Sequence, residues 1–267
     1  MAHLPYTTAL FVPADRPDRF AKALGSGADL VIIDLEDAVA PDRKAEVRQA
    51  LVGVDLDWRR IAVRVNAYRT PWHADDLAAL RGLPLAALML PKAEIQGLTA
   101  VASEGVPLLP LIETALGIAQ ARALAQAPGV FALAFGNLDY SYDLGCENEP
   151  QSLLLARSEL VLASRLAGLS PPLDGVTTQF NDPDLVERDA RAAKALGFGG
   201  KLLIHPQQIA PTRAAFSPSE KELAWARAVL GEGGSGGVGA SGGEMVDRPV
   251  RLRAEALLAH AARGRNV

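Results

Sequence analysis

Residues 107–139 read PLLPLIETALGIAQARALAQAPGVFALAFGNLD, and this stretch decides the fold. It holds two short apolar runs, residues 107–112 and 130–135, with a helix-like segment between them. Short apolar runs bounded by turn-forming residues are typical of buried parallel strands. The stretch therefore predicts a strand–helix–strand unit.

A carboxylate follows each of the two runs. Glu113 comes directly after the first, and Asp139 follows the second after a short Gly-Asn-Leu spacer. Because parallel strands end at the same edge of a sheet, we expect both carboxylates at one rim. Two hard oxygen ligands without a neighbouring Cys or His favour a divalent ion such as Mg²⁺ that keeps positions open for water and substrate.

The same alternation runs through most of the chain. Eight strand-like runs occur, at residues 9–13, 30–34, 61–65, 87–91, 107–112, 130–135, 173–177 and 201–205. Helix-like segments lie between them, at residues 16–26, 42–52, 70–81, 94–104, 115–127, 152–167 and 182–196. Eight alternating units in 267 residues predict an α/β fold of the closed (β/α)₈ TIM barrel type. An open doubly wound sheet is the alternative, but it usually has fewer strands and a Gly-x-Gly-x-x-Gly turn after the first.

The last part of the chain has a different pattern. We expect a barrel domain at residues 1–230 and a C-terminal arm at residues 231–267. Residues 231–243 read GEGGSGGVGASGG, a composition typical of a flexible tract, and a helix-like segment follows at residues 250–263. The arm is either a lid or docking arm that reaches a neighbouring subunit, or a linker to a surface helix.

Composition excludes several classes of protein. A formal net charge of -4 provides no basic surface for nucleic acid or for an anionic membrane. No apolar run approaches the roughly 18 residues of a membrane span, and no secretory signal is visible. The single cysteine, Cys146, cannot form an intrachain disulfide and suits a reducing compartment. We expect a soluble, cytoplasmic protein.

In a TIM barrel the active site lies at the C-terminal ends of the strands, and here most of these ends carry polar side chains. Arg64 interrupts an apolar run, so it needs an anionic partner. It either pairs with one of the nearby acids or clamps a substrate carboxylate or enolate. The acids at the end of the second strand are Asp34, Glu36 and Asp37. They either cap the next turn and pair with Arg64 or Lys92, or they orient metal-bound water.

Several ordered motifs make the chain resemble the citrate lyase β-subunit-like family. This family is a branch of the HpcH/HpaI aldolase/citrate lyase superfamily that includes malyl-CoA and citramalyl-CoA lyases. The motifs are LFVPADR at 10–16, DLEDAV at 34–39, RVN at 64–66, LPK at 90–92, LIET at 111–114, FG at 135–136 with Asp139, HPQ at 205–207 and MVD at 245–247. One departure is Asn137-Leu138, where many relatives have Ala-Glu or a similar polar pair, so the surroundings of the site can differ there.

The resemblance implies a role for each matching residue. Glu113 and Asp139 would hold Mg²⁺, for which Mn²⁺ could substitute. The catalytic residues would be Arg64, Asp247, Glu36 and Asp37, and the residues that bind substrate and coenzyme A would be Phe11, Arg16, Lys22, Arg64 and Gly136. Asp247 would come from a neighbouring subunit, so the resemblance also implies a homotrimer or homohexamer.

The activity that the resemblance implies is Mg²⁺-dependent carbon–carbon cleavage. A CoA thioester of the citramalyl-CoA or malyl-CoA type would break in a retro-Claisen sense into a 2-oxo acid and acyl-CoA. One alternative is a citrate lyase β subunit, which cleaves a carrier-bound citryl thioester in a complex with α and carrier subunits. Others are a malyl-CoA thioesterase or malate synthase-like activity and a non-catalytic relative that binds metabolites.

Overall fold

Eight parallel strands close into a barrel in the computed structural model of the chain, which describes residues 6–101, 105–231, 239–241 and 244–263. The strands are β1 (Thr8–Pro13), β2 (Leu30–Asp34), β3 (Ile61–Arg64), β4 (Ala87–Leu90), β5 (Leu108–Ile112), β6 (Ala134–Phe135), β7 (Leu173–Asp174) and β8 (Gly200–Leu203). Each strand pairs with the next, and β1 pairs with β8. The predicted (β/α)₈ TIM barrel is therefore confirmed.

Helices connect the strands and continue after the last one. They are α1 (Phe20–Leu24), α2 (Lys44–Val52), α3 (His73–Leu80), α4 (Ile95–Val101), α5 (Ala115–Ala125), α6 (Asn137–Leu144), α7 (Leu154–Leu166), α8 (Pro183–Leu196), α9 (Ile209–Phe216), α10 (Glu220–Gly231) and α11 (Arg248–Arg263). Each predicted helical segment contains a helix, whereas α6, α9 and α10 were not predicted from the sequence. Within the ranges described, none of these helices has both the length and the apolar content that crossing a membrane requires.

Alternate residues of the strands fill the barrel interior, as the two-residue period of a strand requires. Leu30 and Ile32 of β2 and Leu109 and Leu111 of β5 belong to one fully buried cluster with Met89. Full burial of such a side chain contributes about 1.5–3 kcal/mol. The parallel arrangement brings all eight C-terminal strand ends to one mouth of this packed core.

The chain divides into two compact units, Met1–Arg213 and Ala214–Val267. The first contains the barrel. In the second, α10 and α11 pack together around Ala226 and Ala254, and β9 (Gly239–Ser241) pairs antiparallel with β10 (Glu244–Val246). Residues 232–238 and 242–243 of the tract that was expected to be flexible lie outside the described residues.

Candidate active site

The C-terminal ends of the strands surround a cavity of about 400 Å³. The charged side chains in its wall are Asp34, Asp37, Arg64, Glu113 and Asp139. Much of the remaining wall is apolar and includes Phe11, Leu111, Phe135, Leu138, Val176 and Ile204. The cavity lining therefore combines a group of charged side chains, called the charged floor below, with apolar side chains.

The two carboxylates singled out in the sequence both line this cavity. Glu113 lies one residue beyond β5 and is 1% exposed, whereas Asp139 lies half-buried in the first turn of α6. Burial and the negative charges of Glu36 and Asp139 raise the pKa of Glu113 to about 8, and Arg64 and Lys92 offset only part of that increase. The site concentrates negative charge where little water can screen it.

Gly136 lets Glu113 occupy its position. A Cβ added at Gly136 would lie 2.4 Å from Glu113 Oε2 and 2.5 Å from Glu113 Cβ, well inside van der Waals contact. The backbone of Gly136 has φ -97°, which any residue can adopt, so the requirement is for space. The residue that follows β6 must therefore lack a side chain so that the Glu113 side chain can lie against it.

Lys92 holds the other side of the Glu113 carboxylate. Its backbone N–H donates to Glu113 Oε1 at 2.7 Å, and its Nζ lies 4.0 Å from the same oxygen. Nζ also donates to Glu36 Oε1 at 2.7 Å. Lys92 has φ 45°, in the left-handed region that non-glycine residues rarely occupy and that often marks a functional site. The sequence favoured an ion pair for Lys92, and this backbone contact was not predicted.

Arg64 is fixed at the centre of the charged floor. Its Nε and Nη2 donate to the two oxygens of Asp34 at 2.7 and 2.6 Å. Burial alone would lower the Arg64 pKa, but Asp34 and the charges of Glu36 and Glu113 raise it above its usual value, so the group stays charged. The guanidinium lies 5.0 Å from the centre of the Phe11 ring. The first interpretation of Arg64, pairing with nearby acids, is observed. Arg64 also lines the cavity, so contact with a substrate stays a prediction.

The three acids at the C-terminal end of β2 differ in position. Asp34 accepts hydrogen bonds from the backbone N–H groups of Glu36 and Ala38, so it also caps the turn. Asp37 lines the cavity with its side chain 56% exposed. Glu36 is buried, and its Oε2 lies 2.9 Å from Arg64 Nη1 without hydrogen-bond geometry. Burial raises the pKa of Glu36, and Arg64 and Lys92 offset only part of that increase.

The residues expected to bind coenzyme A are not all part of the cavity wall. Phe11 lines it, whereas Arg16 ion-pairs with Asp18 at 2.8 Å on the surface and Lys22 is exposed on α1. Asp247 belongs to the second compact unit, where its Oδ1 accepts a hydrogen bond from Val250 N–H at 3.1 Å and caps α11. The roles of Arg16, Lys22 and Asp247 stay predictions.

The donor set suits Mg²⁺. In the part of the chain that the structure describes, no three His, Cys, Asp or Glu side chains converge as metal ligands. Glu113 and Asp139 would therefore leave most positions around an ion to water or substrate, which is the usual arrangement for Mg²⁺. A divalent cation would also relieve the repulsion between two carboxylates in a buried site. The residues present fit the metal that the resemblance implies.

Comparison with known proteins gives a consistent result. Residues 7–206 match the family described as HpcH/HpaI aldolase/citrate lyase. A citrate lyase subunit beta-like protein of Deinococcus radiodurans is 37% identical over 96% of this chain and 97% of its own length. A (3S)-malyl-CoA thioesterase of Cereibacter sphaeroides is 34% identical over 84% of this chain and 82% of its own. The crystal structure of CitE from Mycobacterium tuberculosis in complex with magnesium, acetoacetate and coenzyme A superposes with a TM-score of 0.88 at 38% identity, covering 97% of this chain and 98% of that one.

Proposed function

The chain belongs to the HpcH/HpaI aldolase/citrate lyase family, and from that membership we propose that it is a Mg²⁺-dependent carbon–carbon lyase. The proposed substrate is a 3-hydroxy-3-carboxyalkyl thioester of coenzyme A, of the citramalyl-CoA or malyl-CoA type. The products are a 2-oxo acid and acyl-CoA. The observation that carries the proposal is that one cavity holds Glu113, Asp139 and the buried cation of Arg64.

Glu113 and Asp139 are the residues that would hold the ion. The M. tuberculosis relative was crystallised with magnesium, which supports this assignment. When bound, Mg²⁺, or Mn²⁺ in its place, supplies Lewis-acid polarisation of the hydroxyl oxygen that becomes the oxo group. Lys92 N–H and the space beside Gly136 hold the Glu113 carboxylate in one orientation for this task.

Arg64 stabilises the negative charge that develops on the thioester during cleavage. The bond between C2 and C3 of the acyl chain breaks, and its electrons move onto the thioester as an enolate. A cation fixed before the reaction, in a site with little water, stabilises such charge without reorganisation. The bidentate contact with Asp34 provides that fixed position.

Two proton transfers complete the reaction. The 3-hydroxyl loses its proton as the bond breaks, and Asp37, in the cavity wall, is better placed to receive it than Glu36, which Lys92 and Arg64 enclose. The enolate carbon then takes up a proton, which we assign to Asp247 of a neighbouring subunit in a homotrimer or homohexamer. This assignment rests on the family resemblance.

C3 of the substrate carries the hydroxyl, the carboxylate, C2 and one further group, and the wall of the cavity favours hydrogen or an apolar group as that further group. Among the described residues that line the cavity, Arg64 is the one cation, and Asp34, Glu36 and Asp37 already surround it. A second substrate carboxylate, as in a citryl thioester, would enter next to acids and apolar side chains without a free cation. Since an unpaired charge in such a site is costly, we propose a hydrogen or a methyl group there.

The coenzyme A part of the substrate would leave the cavity past Phe11. Arg16, which is partly exposed, and Lys22, which is exposed, are cations of the same strand–helix unit and suit its phosphates. The M. tuberculosis structure contains coenzyme A, which supports a CoA thioester as the substrate. The single cysteine suits a cytoplasmic enzyme.

Hydrolysis of malyl-CoA is the second candidate activity. The C. sphaeroides relative is named for this reaction and is 34% identical. The same cavity would serve, with water attacking the thioester in place of carbon–carbon cleavage.

A cleavage assay over citramalyl-CoA, malyl-CoA and citryl-CoA tests the proposal. With Mg²⁺ we expect pyruvate from the first or glyoxylate from the second, together with acetyl-CoA, and little reaction with the third. Free CoA without a 2-oxo acid would identify the thioesterase. Oxaloacetate from citryl-CoA as the best reaction, or no cleavage of any substrate, would refute the proposal.

A further inference from the structure

The seam between β6 and β7 is the weakest in the barrel by strand pairing. These strands share one residue pair, Ala134 with Leu173, whereas β1 and β2 share five. Asn137 lies three residues beyond Ala134, and Val176 lies three residues beyond Leu173. The two positions therefore lie at the same distance along the chain beyond the last residue pair of the seam.

The side chain of Asn137 binds both polar groups of the Val176 backbone. Its Oδ1 accepts from Val176 N–H at 2.8 Å, and its Nδ2 donates to Val176 C=O at 3.1 Å. Nδ2 also donates to Oδ1 of the exposed Asn148 at 2.9 Å. Each polar atom of the Asn137 amide thus satisfies one backbone group of Val176, two residues beyond the end of β7 at Asp174.

Gly175 provides the space for this contact. A Cβ added there would lie 2.1 Å from Asn137 Oδ1, 2.5 Å from its Cγ and 2.8 Å from its Cβ. Gly175 is not among the glycines with positive φ, so its backbone does not require glycine. Glycine is needed at this position because the Asn137 amide approaches its Cα too closely for a side chain.

We propose that Asn137 is a positioning residue that ties the metal-binding turn of α6 to the apolar wall of the cavity. Asp139 lies two residues further along the same helical turn, and Val176 lines the cavity beside it. Loss of the amide contact would free the start of α6 from the loop after β7. The inference rests on the proposed function because it takes Asp139 as a Mg²⁺ ligand.

Calorimetric titration with Mg²⁺ alone tests this role. Asn137→Ala should weaken Mg²⁺ binding about 10-fold or more, as loss of residues that orient metal ligands usually does. Asn148→Ala is the matched control, since it removes one amide contact and leaves both Val176 bonds. Its affinity should stay within roughly twofold of the wild type. Wild-type affinity in Asn137→Ala, or an equal loss in Asn148→Ala, would overturn the proposal.

Gly175→Ala breaks the same contact from the other side and provides a second test. It should weaken Mg²⁺ binding as Asn137→Ala does and lower the Tm by about 2–12 °C. In the double variant Asn137→Ala/Gly175→Ala, the part of the Tm loss that is due to Gly175→Ala should be less than half of the loss in Gly175→Ala alone. Of the close contacts with Asn137, only the contact with its Cβ remains there. Additive Tm losses would show that the two residues do not meet and would overturn the proposal.

The two failures can be told apart. If the wild type binds no Mg²⁺, the proposed function fails and the positioning role fails with it, whatever the Tm values show. If the wild type binds Mg²⁺ and Asn137→Ala binds it equally well, only the present inference fails.

Discussion

Replacement of Gly136 by alanine tests how closely the backbone is shaped around Glu113. The new Cβ would lie 2.4 Å from Glu113 Oε2, about 1 Å closer than ordinary van der Waals contact allows. Because Lys92 N–H holds the opposite oxygen at 2.7 Å, the carboxylate can move away only by giving up that bond. A displacement of this size at a reacting centre costs about 10²-fold in rate, and the overpacking costs about 1–3 kcal/mol in stability.

The assay combines Mg²⁺ titration with steady-state cleavage of the best CoA thioester. We expect Gly136→Ala to bind Mg²⁺ more weakly and to lower kcat about 10²-fold at saturating Mg²⁺. Gly53→Ala is the matched control, because an added Cβ there meets its nearest atom at 3.5 Å and the backbone has φ -84°. Wild-type kcat and Mg²⁺ affinity in Gly136→Ala would refute the argument that Glu113 is a fixed ligand.

Three further predictions concern charge and backbone at the site. Arg64→Lys keeps the charge but loses the bidentate contact with Asp34, so kcat/KM should fall about 10²-fold in steady-state assays, and an unchanged value would exclude Arg64 from the reaction. Lys92→Gly and Lys92→Ala both remove the ammonium, but only glycine suits φ 45°, so urea unfolding should show Lys92→Gly to be the more stable by about 1 kcal/mol. Equal stabilities would contradict the left-handed backbone. Mg²⁺ at 100 times its Kd should add about 2.7 kcal/mol to the free energy of unfolding. Glu113→Gln should abolish that gain, whereas Glu159→Gln, at a surface ion pair with Arg122, should keep it.

The strands were predictable because an apolar run needs only local sequence to be recognised. Their ends were less predictable where pairing depends on a distant partner. The run at 130–135 gives a strand only at Ala134–Phe135, because its neighbour β7 begins at Leu173 and pairs with Ala134 alone. Helix α6 was missed because Asn137–Leu144 is rich in Asp, Tyr, Ser and Asn, which have low helix propensity.

The members of the site were predictable only in part. Their position at strand ends follows from the barrel, so the sequence places Arg64, Glu113 and Asp139 at one mouth. The contacts that hold them come from the folded chain. The backbone N–H of Lys92 reaches a carboxylate 21 residues away, and the amide of Asn137 reaches a backbone 39 residues away. Neither contact leaves a pattern in the local sequence.

Every proposed step depends on a divalent ion held by Glu113 and Asp139. Crystals grown with Mn²⁺ in place of Mg²⁺ locate that ion directly through its anomalous scattering. We predict one strong peak about 2.2 Å from carboxylate oxygens of both residues. A map without a peak there, or with the ion bound to Asp34 and Asp37 instead, would contradict the proposed site.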